Sequence, residues 1–151
     1  MRVIIKGDIV LSCSVDDDKV KAWSTSNKEM KYEFTHGNSV YDIVIGREET
    51  PLEKRLLSIS YERCCRVSNL ETGAEVKRIN FDRPCYSIAV DKTQTLIAIG
   101  SENKVTFIET TNFTKVKEVS LNDFVYSLAF NRQNDGMLAV TRNGEIHSFK
   151  F

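Results

Sequence analysis

The sequence predicts an all-β fold made of one structural unit that is repeated almost four times. Three observations predict it: short segments of alternating apolar and polar residues, polar turns between them, and the recurrence of both at a nearly constant spacing. Alternation with a period of two residues is typical of strands, because successive side chains of a strand point to opposite faces. The unit is therefore expected to be a small antiparallel sheet.

Three series of segments show the repeat. The first has an aromatic residue in its second position and reads VYDIVI from Val40, CYSIAV from Cys85 and VYSLAF from Val125, with spacings of 45 and 40 residues between the tyrosines. The second reads LSCS from Leu11, LSIS from Leu57, IAIG from Ile97 and LAVT from Leu138. The third ends at Trp23, Ser68, Ile108 and Phe149. A repeat of roughly 40 to 45 residues predicts a β-propeller, in which each unit is one blade.

The alternation places four strands in the first unit, which spans residues 1–34: Arg2 to Lys6, Ile9 to Ser14, Lys19 to Trp23 and roughly Glu29 to Phe34. The second and third units, 35–79 and 80–119, repeat this order. The fourth unit, 120–151, stops after its third strand.

Turn residues agree with these strands. Gly73 and the pair Asn143-Gly144 suit hairpin turns, because glycine and asparagine accept a positive φ. Pro51 and Pro84 are the two prolines, and neither lies inside a predicted central strand. The insert from Gly46 to Lys54 accounts for the longer spacing of the second unit. We expect it to project from the face opposite the main loops, where it would form a second docking element.

Composition places the chain among ordinary globular proteins. Its 151 residues are 41% hydrophobic and 28% charged, with 21 basic and 21 acidic residues. The zero formal charge argues against a nucleic-acid partner. No apolar run has the length of a membrane helix, and Met1 to Ile5 is too short for a signal peptide. The expectation is an intracellular protein, cytoplasmic or nuclear, without a membrane partner.

Metal, cofactor and catalytic motifs are absent from the sequence. The four cysteines, Cys13, Cys64, Cys65 and Cys85, form no C-x-x-C pair and are interpreted as reduced thiols in or beside strands. The two histidines, His36 and His147, lie far from zinc-type spacing. No phosphate-binding glycine loop or nucleophile motif occurs. We therefore expect no metal, no cofactor and no enzymatic activity.

Two segments resemble the WD-repeat (WD40) family. Gly7 to Trp23 is similar to the middle portion of its unit, and Cys65 to Val76 is similar to its third strand, turn and outer strand, with serine in place of tryptophan. His36 lies four residues before Val40, as the family's histidine does. The resemblance implies a WD40-type β-propeller of about four blades, incomplete and open, whose last blade lacks its outer strand.

The resemblance also implies structural roles for a small set of residues. In the family, a His, a Ser or Thr, an Asp and a Trp form a buried hydrogen-bonded set. The first unit offers Ser12, Asp17 and Trp23, and the second offers His36 and Ser58. Trp23 and His36 are expected to be buried on this basis, and no unit holds all four members.

Six loop residues are candidates for protein binding. They lie on loops that the family places at its ligand-facing rim: Asn38, Arg63, Arg83, Glu102, Asp123 and Arg142. Exposed loops on a rigid scaffold are common recognition sites. The arginines would suit a phosphorylated peptide, since a guanidinium pairs well with phosphate, and ordinary surface arginines are the alternative.

The functional hypothesis is a protein-interaction module, an adaptor or substrate-recruiting subunit that resembles the propellers of F-box ubiquitin-ligase proteins. The alternative is a structural scaffold subunit of a larger assembly. Open ends would leave apolar faces exposed, so the missing blades are expected from upstream sequence or from another chain. The chain is thus interpreted as a fragment or as one half of an assembly, whose partners are other proteins.

Overall fold

A computed structural model describes residues 2–151, and over these residues the chain forms fifteen strands and no helix. The prediction of an all-β fold is confirmed. Within the described part of the chain, nothing resembles a helix long and apolar enough to cross a membrane.

The strands alternate with short turns along the whole chain. They are β1 (Arg2–Lys6), β2 (Ile9–Cys13), β3 (Lys19–Ser24), β4 (Met30–Thr35), β5 (Val40–Ile45), β6 (Arg55–Ser60), β7 (Cys64–Asn69), β8 (Glu75–Asn80), β9 (Cys85–Val90), β10 (Leu96–Ser101), β11 (Lys104–Glu109), β12 (Thr114–Ser120), β13 (Val125–Phe130), β14 (Gly136–Thr141) and β15 (Ile146–Lys150).

These strands form four separate antiparallel sheets in which neighbours in sequence pair with each other. Sheet 1 contains β1 to β4, sheet 2 contains β5 to β8, sheet 3 contains β9 to β12, and sheet 4 contains β13 to β15. Hairpins join the strands, and Gly73 and Gly144 provide positive φ angles of 75° and 85° in two of the turns.

Consecutive sheets pack face to face and bury three apolar clusters. We call the face of a sheet that points toward the preceding sheet its leading face, and the face that points toward the following sheet its trailing face. In sheet 1 the leading face is the one that points away from sheet 2, and in sheet 4 the trailing face is the one that points away from sheet 3. Between sheets 1 and 2 the cluster contains Leu11, Val20, Ala22, Val40, Ile43 and Leu56. Between sheets 2 and 3 it contains Val44, Leu57, Val67, Ile88, Ile97 and Ile108. Between sheets 3 and 4 it contains Ala98, Phe107, Leu128, Met137 and Ala139.

The alignment of Ile97 with Leu57 is wrong by one residue. Leu57 pairs with Val44, the fifth residue of β5, and the fifth residue of β9, Ala89, pairs with Ala98. Ala98 therefore corresponds to Leu57, and Ile97 lies on the opposite face of its sheet. A shift of one residue exchanges the two faces of a strand. Because both Ile97 and Ala98 are fully buried, the apolar pattern alone did not reveal the shift.

The insert between β5 and β6 does not project from the molecule as predicted. The Arg47 backbone N–H and the Thr50 hydroxyl both donate to the side-chain oxygen of Gln94, in the turn between β9 and β10, each at 2.7 Å. Leu52 is fully buried in the cluster between sheets 2 and 3. The insert therefore covers the end of that interface, because Leu52, its one large apolar residue, packs into the cluster.

The assignment of these units to a WD40-type propeller of about four blades is wrong. The structure has four small sheets of three or four strands that do not close. Of the buried set expected from the resemblance, only His36 and Ser58 form a buried hydrogen-bonded pair. Trp23 is 37% exposed on the leading face of sheet 1, although it was expected in the core. The sequence repeat specifies strands and hairpins, because these depend on local alternation. The propeller prediction also required particular contacts between sheets, which local alternation does not specify.

Candidate functional site

Five aromatic side chains gather at the end of the molecule where the first strands of sheets 2, 3 and 4 begin. Tyr41, Tyr86 and Tyr126 are the second residues of β5, β9 and β13, Tyr61 lies in the turn after β6, and Phe124 directly precedes β13. We call these five residues the aromatic surface. The three tyrosines share the same position in their first strands, and they meet because consecutive sheets pack face to face with these first strands next to one another.

Tyr86 occupies the centre of the aromatic surface. Its ring centroid lies 5.1 Å from that of Tyr41, 5.3 Å from Phe124, 5.5 Å from Tyr126 and 6.5 Å from Tyr61. The interplanar angles lie between 60° and 74°, so the rings meet edge to face or tilted. Such contacts stabilise aromatic pairs beyond the area that they bury.

The aromatic surface is open to solvent at its margin and half-buried at its centre. Tyr126 is 51% exposed, Tyr61 is also exposed, and Tyr86 is partly buried. Burial raises the pKa of Tyr86 to about 12 and also raises the pKa of Tyr41. Both phenols are therefore protonated at physiological pH and can donate hydrogen bonds to a ligand.

The predicted loop residues surround this surface, because they lie in the connections at the same end of the sheets. Arg142 Nη2 lies 3.2 Å from Asp123, and its guanidinium carbon lies 4.4 Å from the ring centroid of Phe124. Arg83 Nη1 lies 3.2 Å from Glu102. Cations above a ring face and exposed ion pairs both leave polar groups available at the edge of an apolar site.

Arg63 and Asn38 complete the set at the connections of sheet 2. Arg63 is exposed and has a φ of 66°, in the turn that also carries Tyr61. Asn38 is exposed, and its side-chain oxygen accepts a hydrogen bond from the Ser39 backbone N–H at 2.8 Å. All six predicted residues thus lie at the loop end of the molecule, whereas their role in binding stays a prediction.

A groove of about 750 Å³ continues from the aromatic surface along the first strands. Tyr126 lines it, as do Ser127 and Ala129 of the same strand. Arg2 Nη1 and Asp42 Oδ1, which also line the groove, form an ion pair at 2.5 Å. Its lining is mixed, with apolar strand residues and charged groups of both signs, so it suits an extended polar and apolar segment better than a single anion.

A buried polar cluster lies between sheets 1 and 2 and is separate from the aromatic surface. His36 Nε2 lies 2.8 Å from the Ser58 hydroxyl, and His36 Nδ1 lies 3.2 Å from Glu62 Oε2. A carboxylate can only accept, so Nδ1–H donates to Glu62 and Nε2 accepts from Ser58. Both ring nitrogens are satisfied, which is the state that a buried histidine requires.

Burial is the main cause that lowers the pKa of His36 to about 4, and the nearby Arg66 contributes in the same direction. Burial raises the pKa of Glu62, but hydrogen bonds from the Gly37 N–H and from Arg78 outweigh it and lower the pKa overall. Burial also raises the pKa of the Cys64 thiol. At neutral pH the cluster therefore contains a neutral imidazole, an ionised carboxylate and a protonated thiol.

His36, Glu62 and Cys64 are also ligand types that bind metal ions, and their three ligand atoms lie within 4.8 Å of one another. Sequence reasoning missed this group, because only the fold brings His36 next to the other two residues. Arg78 Nη1 lies 2.9 Å from Glu62 and Arg66 Nη2 lies 3.7 Å from it, so a cation would meet two guanidinium groups. The arrangement fits a structural hydrogen-bond network better than a metal site.

The remaining residues of the expected buried set lie apart from His36 and Ser58. Asp17 accepts a hydrogen bond from the Lys19 N–H at 3.1 Å and pairs with Lys21 at 2.5 Å near the surface. Ser12 pairs with Val3 in the register of sheet 1, on the same face as Trp23. The structure therefore brings His36 and Ser58 together and leaves the other three on or near the surface of sheet 1.

Sequence reasoning used Tyr41, Tyr86 and Tyr126 as markers of the repeat without recognising them as a surface. The signal was present, because a tyrosine recurs at the second position of the first strand in three units. Tyr61 and Phe124 carry no such signal, since each lies in a connection. Their positions follow only from the packing of one sheet beside the next.

No family model and no curated protein matches the chain. Among solved structures, the chain is similar to the crystal structure of the computationally designed Ika4 protein, with a TM-score of 0.83, 13% identity, and coverage of 99% of this chain and 89% of that chain. At this identity the similarity shows the fold alone. The likeness is to a designed protein, and it contradicts the predicted WD40-type propeller of about four blades. The resemblance to the WD-repeat family stays a prediction.

Proposed function

We propose that the chain is a non-enzymatic protein-interaction module that binds a segment of another protein at the aromatic surface. The contact of the Tyr86 ring with four other rings, at an end of the molecule bordered by arginines, carries this proposal. Tyrosine and arginine are enriched among the residues that dominate binding energy at protein interfaces. Exposed aromatic clusters with a polar border are typical of such interfaces.

Rigidity supports the proposal as well. Tyr41, Tyr86 and Tyr126 stand on strands rather than on long loops, and edge contacts hold the rings in place before a ligand arrives. A surface that is ordered in the free protein loses little conformational entropy on binding. The neutral phenols add hydrogen-bond donors without introducing charge.

The charge of the border favours a protein over a nucleic acid as the ligand. Arg83 is paired with Glu102 and Arg142 with Asp123, so the arginines around the rings are balanced by carboxylates. The chain carries 21 basic and 21 acidic residues. A phosphate backbone would find no excess of positive charge here. The groove beyond Tyr126 offers room for the segment to continue.

The test is selection of random 12-residue peptides displayed on phage against the immobilised protein, followed by measurement of the affinity of the synthetic peptides. Peptides that occupy the aromatic surface should bind Tyr126→Ala roughly 30-fold more weakly than the wild type, since a tyrosine that dominates an interface contributes about 2 kcal/mol. Tyr126 is half exposed, so its removal should leave the fold intact.

Val116→Ala is the matched control, because Val116 is exposed to a similar degree but lies on the outer strand β12. The selected peptides should bind this variant as they bind the wild type. Equal binding of the peptides to Tyr126→Ala and to the wild type would show that the aromatic surface is not the binding site.

A further inference from the structure

The two end sheets each carry an apolar face that no other sheet covers. On the leading face of sheet 1, Ile5 pairs with Val10 and Val10 pairs with Trp23, which places these three side chains together. On the trailing face of sheet 4, Ala129 pairs with Leu138, and Val140 pairs with Ile146. Apolar patches of this kind on a soluble chain commonly mark sites of association.

Equivalent positions in the other sheets show what these faces are built to contact. Val20, Cys65, Val105 and Ile146 each pair with the fifth residue of the second strand of their sheet. The first three are completely buried against the following sheet, whereas Ile146 is 68% exposed. In sheets 1, 2 and 3 the position equivalent to Ile146 therefore lies in the interface with the following sheet.

The leading faces show the same relationship. Val3, Ile43, Ile88 and Leu128 each pair with the fourth residue of the second strand of their sheet. Ile43, Ile88 and Leu128 are at most 9% exposed, because each contacts the preceding sheet, whereas Val3 is 57% exposed. Within residues 2–151, one leading face and one trailing face remain uncovered.

We propose that a second copy of this chain covers both end faces, with the trailing face of sheet 4 in one copy packed on the leading face of sheet 1 in the other. All three sheet interfaces within the chain join a trailing face to a leading face. The leading face of sheet 1 and the trailing face of sheet 4 are therefore the two surfaces that such an interface requires, and one chain carries both. Two copies joined head to tail at both ends form the smallest closed assembly that leaves neither face exposed.

This proposal is independent of the proposed function. The aromatic surface lies at the beginning of the first strands, whereas the end faces are the flat sides of the outermost sheets. If the chain proves to be a monomer, the expected peptide binding at Tyr126 does not change. If no peptide binds at the aromatic surface, the expected pairing of the end faces does not change.

The experiment is light scattering coupled to size-exclusion chromatography of the full chain. The wild type should have twice the chain mass of 17.2 kDa. Val3→Glu and Ile146→Glu should each shift the protein to the monomer mass, because either change places a carboxylate in both contacts of the pair. Val116→Glu is the matched control, since Val116 is 54% exposed but lies on β12, away from the end faces.

A mixture of the Val3→Glu and Ile146→Glu proteins sharpens the test. In a head-to-tail pair the two substitutions fall in the same contact and the other contact stays unaltered, so the mixture should regain the pair mass in part. A contact between two leading faces would be broken by Val3→Glu alone and would not be restored by mixing. A monomeric wild type, a different mass, or a pair that survives Ile146→Glu would overturn the proposal.

Circular dichroism and thermal melting of each variant separate loss of assembly from loss of folding. Both substituted side chains are exposed in the single chain, so the strand signal of the monomeric variants should equal that of the wild type.

Discussion

Sheets 2 and 3 differ from sheets 1 and 4 in the number of faces that they bury. Leu57 and Leu138 are both the third residue of the second strand in their sheets, and both point to the trailing face. Leu57 has no exposed surface, whereas Leu138 is 48% exposed. The two leucines have the same local sequence pattern and differ only in what lies beyond them.

The comparison shows that the repeat specifies a sheet but not its surroundings. Each sheet forms from hairpins whose strands adjoin in sequence, so its geometry depends on local alternation and turns. Burial depends on the neighbouring sheet, which each middle sheet has on both sides. The energetic contribution of equivalent residues should therefore differ between the middle and the end of the molecule.

The largest expected difference is between Leu57→Ala and Leu138→Ala. Leu57→Ala should lower the free energy of unfolding by roughly 2 to 5 kcal/mol, because it leaves a cavity between two sheets. Leu138→Ala should cost less than about 1 kcal/mol in the monomeric chain, since half of the side chain is already in water. Urea unfolding at a concentration where the chain is monomeric measures both values. Equal losses would show that the trailing face of sheet 4 is covered in the single chain.

The interface between sheets 1 and 2 contains His36, and acid should weaken it. The pKa of His36 is about 4 in the folded chain and 6.5 as a free side chain. Between these values the unfolded state binds a proton that the folded state does not, so stability falls as the pH falls through that window. The loss at pH 4 should approach ~3 kcal/mol relative to pH 7.

His36→Gln is the control for this pH dependence, because glutamine does not titrate and can still hydrogen-bond to Ser58 and Glu62. Urea unfolding between pH 7 and 5 should show a smaller slope of stability against pH in the variant than in the wild type. Identical slopes would assign the acid sensitivity to other groups.

A smaller effect is expected from two glycines in equivalent conformations. Gly73→Ala and Gly144→Ala should each lose roughly 1 to 2 kcal/mol from backbone strain at a positive φ. Gly73→Ala should lose more, because a new Cβ would lie 2.5 Å from the Tyr32 ring of sheet 1, whereas nothing lies within 4 Å at Gly144. Thermal melting of both variants measures the difference, and a larger loss at Gly144 would contradict the packing of Gly73 against sheet 1.

The smallest effect is expected at the ion pair between Arg142 and Asp123 in sheet 4. Arg142→Gln should change the free energy of unfolding by less than about 1 kcal/mol, because the Arg142 side chain is 57% exposed and solvent screens its charge. Asp123 keeps its hydrogen bonds from the Phe124 N–H at 2.8 Å and the Asn143 N–H at 3.0 Å. Arg78→Gln in sheet 2 should cost more, since its partner Glu62 belongs to the cluster around His36. Chemical unfolding of both variants tests the order.

Sequence reasoning located the strands well and the sites only in part. The predicted first strand, Arg2 to Lys6, is the observed β1, and the fourth sheet contains three strands as the pattern indicates. The register of Ile97, the packing of the insert and the exposure of Trp23 were missed. The register of Ile97 was hidden because Ile97 and its neighbour Ala98 are both fully buried. The packing of the insert and the exposure of Trp23 depend on whether another sheet lies against them, which no local pattern records.

The sequence by itself determined an all-β chain of repeated hairpins, because strand alternation and turn residues act over a few neighbouring positions. The six loop residues share one end of the sheets, since consecutive antiparallel strands bring alternate connections to the same edge, and their role in binding stays a prediction. The tertiary structure decided which faces are buried, which rings meet at Tyr86, and that His36 lies between Ser58 and Glu62. These features join residues that are distant in sequence, so they exist only once the sheets pack together.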